Sequence, residues 1–279
     1  MTFSIVARNA DGTSLGVAVA SKFLAVGAAV PAAEAGVGAI ATQSYANLAY
    51  KADGLAQLRR GRSAQQTLDA LLDVDEKREI RQVGVVDAGG NSATFTGADC
   101  HAWAGGVTGK DYAIQGNILV GPEVVAEMER SWRASGPAAS LARRLLAALS
   151  VGDAVGGDRR GRQSAALLVV APEGGYAGSD DVVVDLRVDD HSMPVAELAR
   201  LLDLHDLYFG KPDPDTLIDL EGGLADEVRA LLAARGFTEV DLGTALAGWA
   251  GIENYEERMV PGKIDPLVLA KLRAPLVPP

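Results

Sequence analysis

The chain holds one cysteine, Cys100, three histidines and few aromatic residues, only 5% of 279. A single cysteine excludes an intrachain disulfide framework, and nothing in the sequence demands an oxidising compartment. Positive charge is also scarce: 26 lysines and arginines stand against 37 aspartates and glutamates, a formal net charge of -11. Nucleic acids and anionic membranes require a cationic footprint, so neither is expected as a partner. Long apolar runs are missing too. The longest, Phe23 to Ala41, is interrupted by Pro31 and Glu34 and by Gly27, Gly36 and Gly38, which excludes a membrane helix there. No basic segment followed by an apolar one stands at the start, so the cytoplasm is the expected location. What is present, 48% hydrophobic and 23% charged residues, suits a globular chain with one substantial core and a smaller unit.

Thr2-Ala7 and Ser14-Ser21 read as strands joined by the turn residues Asn9-Ala10-Asp11-Gly12, a β-hairpin. A third strand is expected over Gly36-Gln43. Leu55 and Leu58, then Thr67, Leu68, Leu71 and Leu72 behind the N-cap candidate Ser63, recur at helical spacing and predict two helices. Strands return over Arg81-Asp87, Ser92-Thr96 and Tyr112-Leu119, expected as a second three-strand group. Helices follow after Gly121-Pro122 and over Leu141-Leu149, then strands over Gln163-Ala171 and Asp181-Val188 and a helix over Val195-Phe209. This order lacks the regular βα alternation of a parallel doubly wound sheet and fits an α+β fold of two antiparallel sheets between helical layers. Lys211-Pro212-Asp213-Pro214-Asp215 reads as a linker. The domains are therefore expected at 1–210 and 211–279, the second a small helical unit with Leu224, Val228, Leu231 and Leu232 on one face.

The most chemically loaded position is Thr2. Were Met1 removed, a hydroxyl and a free α-amine would share one residue at the start of a strand. The amine, with a pKa of about 7.7–8.0, can take the hydroxyl proton near neutral pH. The competing reading is that a β-branched residue simply suits a strand.

Thr2-Phe3-Ser4-Ile5-Val6-Ala7, Val19-Ala20-Ser21-Lys22-Phe23, Ala41-Thr42-Gln43, Gln115-Gly116-Asn117 and Gly156-Gly157-Asp158-Arg159-Arg160-Gly161-Arg162-Gln163-Ser164 together resemble a bacterial family called domain of unknown function 1028. That family is placed among the N-terminal-nucleophile hydrolases, with an αββα sandwich and an element order similar to proteasome β-subunits. The resemblance implies that Thr2 is the nucleophile and its α-amine the base, with Lys22 a nearby charge holding that amine neutral. Thr42, Gln43 and Ser44 would border the oxyanion site, where a backbone N–H stabilises developing charge. Asp158 and Ser164 would orient the N-terminal residue. Proteasome-type enzymes carry a lysine at the start of the third strand. Glu34-Ala35-Gly36 supplies none here, so either Lys22 or Arg159 replaces it or the chemistry has changed. The reaction implied is hydrolysis of an amide in a small molecule or short peptide, with no cofactor. A non-catalytic scaffold that binds peptide-like ligands is the alternative.

The glycines around Asp158 superficially resemble a phosphate loop, but an apolar strand follows where an anion-binding helix is needed, which excludes a nucleotide reading. Arg159, Arg160 and Arg162 suit either a substrate carboxylate or a structural ion network. Asn117, ending a buried strand, could orient substrate or form a turn. Cys100-His101 are neighbours whose side chains point to opposite faces of an extended chain, so a structural cysteine is favoured over a thiol nucleophile. His191 and His205 show no metal-ligand spacing, and a capping or surface role is favoured. Trp103, Tyr45 and Tyr50 could line a cleft, with packing as the competing role. Leu231-Leu232-Ala233-Ala234-Arg235-Gly236-Phe237 and Ile264-Asp265-Pro266-Leu267-Val268-Leu269-Ala270-Lys271-Leu272 resemble a peptidoglycan-binding domain, which implies a muropeptide-like ligand. Contacts in a homo-oligomer are the competing use of that module.

Overall fold

A computed structural model describes residues 2–136 and 138–275. The chain divides into two compact units, one ending at Leu201 and one starting at Leu202. In the first, β1 (Thr2–Arg8) and β2 (Leu15–Ser21) form the expected antiparallel hairpin. Gly12, at a φ of 81°, supplies the left-handed residue of its turn. Beyond Thr2-Phe3-Ser4-Ile5 in β1, neither strand alternates polar and apolar residues, because both of their faces are buried.

A short helix, α1 (Val26–Ala29), leads into β3 (Pro31–Glu34) and β4 (Gly38–Ser44). Helices α2 (Ala49–Arg59) and α3 (Ala64–Asp73) follow. Ser63 caps α3 as expected, in a reciprocal capping box with Gln66. Then come β5 (Arg81–Asp87), β6 (Ser92–Thr96), β7 (Gly105–Gly109) and β8 (Tyr112–Asn117), and helices α4 (Glu123–Ala134) and α5 (Leu141–Ala154). Strands β9 (Ser164–Val170) and β10 (Val182–Val188) and helix α6 (Pro194–Phe209) complete the order.

The strands build a six-stranded antiparallel sheet, β10-β9-β2-β1-β8-β7, and a four-stranded one, β3-β4-β5-β6. The α+β class read from the sequence, two antiparallel sheets followed by a helical C-terminal region, is the one found. Helices α4 and α5 pack on the larger sheet and α2 and α3 on the smaller, while the sheets face one another. Val6, Val17, Val19, Ala41 and Val86 fill the space between the sheets. Ile40, Leu68, Val83 and Val85 fill the space between the smaller sheet and its helices.

Two details differ from expectation. Strands β3 and β7 were not foreseen, since β3 opens on proline and β7 is more than half glycine, compositions that hide strand character. The expected three-strand group is split: β5 pairs with β4 and β6 with β5, whereas β8 pairs with β1. Strand propensity is local but partner choice is not, so a run of strands does not disclose where a sheet ends.

In the second unit, α7 (Gly222–Ala233), α8 (Leu242–Ile252) and α9 (Pro266–Arg273) enclose Val228, Leu232, Trp249 and Leu272. A small ladder joins β11 (Ile218–Asp219) to β12 (Lys263–Ile264). Arg258 is buried against Asp265 at 2.7 Å and donates from Nε to the Leu207 carbonyl at 2.6 Å. Among the described residues no helix is long and apolar enough to cross a membrane.

Candidate active site

Strand register sets the site. Thr2 lies opposite Ser21 on one side and Asn117 on the other, and Ser21 lies opposite Ser164. Residues directly opposite in an antiparallel sheet share a face. Asn117, Thr2, Ser21 and Ser164 therefore form one polar row across four strands of the larger sheet. Thr2 is only 5% exposed, and its Oγ1 lies 3.1 Å from Ser21 Oγ.

One step along β1, Ser4 meets the facing sheet. Ser4 Oγ donates to Gln43 Oε1 (2.7 Å), and Gln115 Nε2 donates to Ser4 Oγ (2.6 Å). Gln43 Nε2 donates to Gln82 Oε1 (2.8 Å), which also accepts from Asn117 Nδ2 (2.9 Å). Gln82 in turn donates to the Gly116 carbonyl (2.7 Å). Gly84 makes room for this layer: a Cβ there would stand 2.1 Å from Gln115 Oε1. Buried amides cost several kcal/mol unless paired, and the network pairs nearly all of these. Asn117 Oδ1 is the exception, buried without a hydrogen-bond partner among the described residues.

Above this floor opens a cleft of about 640 Å³, lined by Thr2, Ser21, Gln43 and Asn117 at its base. Phe23, Val26, Val30 and Leu48 form an apolar wall, and Tyr45, His101, Arg81 and Arg160 complete it. Two non-glycine residues of the lining are left-handed, Ser44 at a φ of 69° and Ile118 at 51°. Such conformations cost about 1–3 kcal/mol each and concentrate at functional sites. For β-branched Ile118 the conformation is a genuine outlier.

Side-chain chemistry fixes the rim. Arg81 Nε donates to Asp75 Oδ2 (2.9 Å), and its Nη1 donates to the Tyr45 carbonyl. The Arg81 guanidinium holds the Asp75 carboxyl well below the usual carboxylate range, helped by bonds from Tyr50 and Asn47. Burial, with the hydrogen bond to Asp75 second, pushes the Tyr50 phenol far above its ordinary value. Asp158 accepts from the backbone N–H of Lys22 (2.7 Å) and of Arg160 (2.8 Å), pinning the chain where it leaves β2. Ser164 Oγ donates to the Phe23 carbonyl and accepts from the Val26 N–H (3.1 Å), shaping the turn into α1.

The sequence-derived residues thus separate into groups. Thr2, Gln43, Ser44, Asn117 and Arg160 line the cleft. Asp158 and Ser164 bind the turn behind it. Thr42 faces the helical layer, where its Oγ1 donates to the Asn47 carbonyl (3.4 Å) and its N–H to the Val30 carbonyl (3.2 Å). Lys22 Nζ donates to the Arg162 carbonyl (3.3 Å) and is not in the lining. Arg162 pairs with Asp153 at 2.7 Å, and Arg159 is exposed away from the lining.

Cys100 Sγ donates to the Arg81 carbonyl (3.2 Å), whereas His101 Nε2 meets Tyr45 Oη (3.3 Å), so the two neighbours do diverge. Tyr50 is buried on Asp75, Trp103 packs over Gly105, and His191 Nδ1 accepts the Met193 N–H (3.0 Å). Sequence reasoning missed Gln82 as a member of the site and, though it put Ser21 where the second strand leaves the cleft, gave that residue no role. A glutamine inside the apolar run Gln82-Val83-Gly84-Val85-Val86 was the available signal for Gln82.

Fold and site together define a two-sheet α+β protein whose central hairpin ends at a polar-floored cleft. The chain belongs to the family of unknown function DUF1028, whose model matches residues 2–198. Residues 208–272 match a second model, described as "Putative peptidoglycan binding domain". Among solved structures the chain is similar to protein SPO2555 from Silicibacter pomeroyi, a DUF1028 protein. The two share 28% identity over 81% of this chain and 92% of that one, with a TM-score of 0.66. It is more distantly similar to Anbu, an ancestral beta-subunit from Yersinia bercovieri, at 13% identity over 72% of this chain and 93% of that one. There the TM-score of 0.35 is too low to bear on the site. Among curated proteins no sequence matches the chain.

Proposed function

We propose that this protein is an N-terminal-nucleophile amide hydrolase that acts on a small molecule or short peptide through an ester on Thr2. The observation that carries the reading is Thr2 itself: a buried hydroxyl at the base of the cleft, hydrogen-bonded to Ser21, with left-handed Ser44 and Ile118 in the same lining. Once the residue ahead of it is removed, the Thr2 α-amine is the base nearest to Oγ1, being on the same residue. Asn117 Oδ1, across the ladder, is an unpaired acceptor of the kind an amine would satisfy.

In the first half-reaction the amine takes the Oγ1 proton as oxygen bonds to the substrate carbonyl carbon. The ammonium returns that proton to the departing nitrogen as the C–N bond breaks, leaving an acyl-Thr2 ester and a free amine product. Water then attacks the ester carbon with the Thr2 amine again as base, and the ammonium returns that proton to Oγ1 as the ester C–O bond breaks and the carboxylic acid leaves. Ser21 Oγ holds the Thr2 hydroxyl in place. With the Lys22 ammonium turned towards Arg162, the α-amine has no lysine beside it in this scheme.

Met1 lies outside the described residues, so intact mass and N-terminal sequencing come first. A protein beginning at Thr2 is expected, and a retained Met1 sinks this mechanism. With Thr2 free, a screen of amides should show turnover by the native protein and none by Thr2→Ala; equal rates would move the chemistry elsewhere. The match over residues 208–272 favours a second reading, a scaffold that binds muropeptide-like ligands without cutting them. Binding of soluble muropeptides to a catalytically silent protein with a free Thr2 would select it.

A further inference from the structure

We infer that Gln82, which is not in the cleft lining, is a positioning residue for the Thr2 base: it fixes the Asn117 amide so that the oxygen, not the nitrogen, is left to hold the Thr2 α-amine. The inference rests on the reading of Thr2 as nucleophile only for what the amine does, and the direction of the amides stands apart from it. The two ends of a side-chain amide act oppositely, since the nitrogen donates and the oxygen accepts. An oxygen facing the α-amine takes one of its N–H groups and leaves the lone pair for the Oγ1 proton. A nitrogen there would donate into that lone pair and silence the base. The direction of one buried amide thus decides whether Thr2 can be deprotonated.

Backbone carbonyls settle that direction, because they can only accept. Gln82, fully buried on β5, has its Nε2 2.7 Å from the Gly116 carbonyl and 3.3 Å from that of Gly105. Its nitrogen must face them, which turns Oε1 onto Asn117 Nδ2 at 2.9 Å. Gln43 imposes the same polarity independently. Its Nε2 lies 3.3 and 3.4 Å from the Thr2 and Gln115 carbonyls and donates to the same Gln82 Oε1 at 2.8 Å, while its Oε1 accepts from Ser4. With Nδ2 committed to Gln82, Asn117 has only Oδ1 left, and that atom is buried with no partner among the described residues. A buried acceptor left unserved is costly, and bulk water does not serve this one. Thr2 is the direct partner of Asn117 across the ladder of β1 and β8. Removal of the residue ahead of Thr2 therefore creates a donor beside Asn117, because an amine carries N–H groups that the peptide nitrogen it replaces lacks.

The test reads the amine itself. Full-length protein is prepared with Thr2 as its first residue by cleaving a fusion ahead of it. The α-amine is then titrated by competitive acetylation with acetic anhydride across pH, followed on the N-terminal peptide by mass spectrometry. The charged and titratable groups around the cleft, Arg81 with Asp75, Arg160 with Asp158, Lys22, His101 and Tyr45, are the same in every variant. A difference between variants therefore reports on the amides. An oxygen acceptor stabilises the ammonium, so Asn117→Ala and Gln82→Met should each lower the amine pKa by about one unit, a tenfold change in its protonation equilibrium. The double variant should fall no further than Asn117→Ala alone, because Gln82 acts through Asn117. Gln82→Glu, whose oxygen still accepts from Asn117, should show no fall. An unchanged pKa in Asn117→Ala or in Gln82→Met, or additive falls in the double variant, overturns the inference. Should Gln82→Met not fold, a fall in Asn117→Ala with none in Gln82→Glu upholds it and any other result overturns it. The expected shifts without turnover of any amide by the native protein uphold the inference and defeat the hydrolase reading. Turnover of an amide with the pKa unmoved does the reverse.

Discussion

At the scale of single residues, the arrangement around Thr2 makes separable demands on its neighbours. Ser21 touches the proposed nucleophile directly, at 3.1 Å, so Ser21→Ala should lower kcat by roughly tenfold or more and leave KM nearly unchanged, since its bond orients Oγ1 rather than substrate. Steady-state kinetics on any amide found in the screen checks this. Ser44 holds a left-handed conformation that glycine adopts freely. Ser44→Gly should therefore stabilise the fold by about 0.5–1 kcal/mol, raising the melting temperature by a few degrees at most. A drop in that temperature would mean that the Ser44 side chain contributes more than its backbone costs. At this scale the sequence was legible where chemistry is intrinsic to a residue type, as with the threonine hydroxyl. It was not legible for Lys22, whose position predicts proximity but whose ammonium turns to Arg162.

At the scale of elements, the site depends on two sheets being held in register by polar side chains within an apolar interior. Gly84 on β5 is the tightest glycine within the two sheets, because any Cβ would overlap the amide of fully buried Gln115. Gly84→Ala should cost about 1–3 kcal/mol by forcing that amide off Ser4, which denaturant unfolding would measure as a lower midpoint with an unchanged slope. The start of β5 is anchored differently, by the Arg81 and Asp75 pair. Asp75 has a folded-state pKa below its unfolded value of about 3.9. The stability it contributes is thus complete above that value and is lost as the pH falls through and below it. Asp75→Asn should flatten this acid limb of the stability profile, and unchanged acid sensitivity would assign the limb to other carboxylates. The turn and cap signals at Asn9-Gly12 and Ser63 were readable because they act within a few residues. The partners of β8 were not, since its pairing with β1 joins Asn117 to Thr2 across more than a hundred residues.

At the scale of the whole molecule, the two units have separate cores, and the second is organised by an ion pair rather than by apolar contacts alone. Arg258 and Asp265 are 6% and 3% exposed, and the guanidinium also serves the Leu207 carbonyl. Arg258→Ala leaves a buried carboxylate unpaired and should destabilise this unit by about 3–5 kcal/mol, read as faster hydrogen exchange of its helical amides. Exchange unchanged from that of the native protein would show the pair to be expendable. The sequence by itself determined the local elements, the α+β class, the presence of a helical C-terminal unit and the position of Thr2 at the head of a strand. Periodicity, capping and turn chemistry act over a few residues, and a one-dimensional reading captures them. Only the tertiary structure decided which side chains share a face. Strand pairing put Asn117, Thr2, Ser21 and Ser164 in one row and turned Thr42 towards the helices, while the loop ahead of β9 divided Arg160 at the cleft from Arg162 on Asp153. The reason is geometric: side chains alternate across a sheet with a period of two, so a shift of one residue in a distant pairing sends a group to the opposite face.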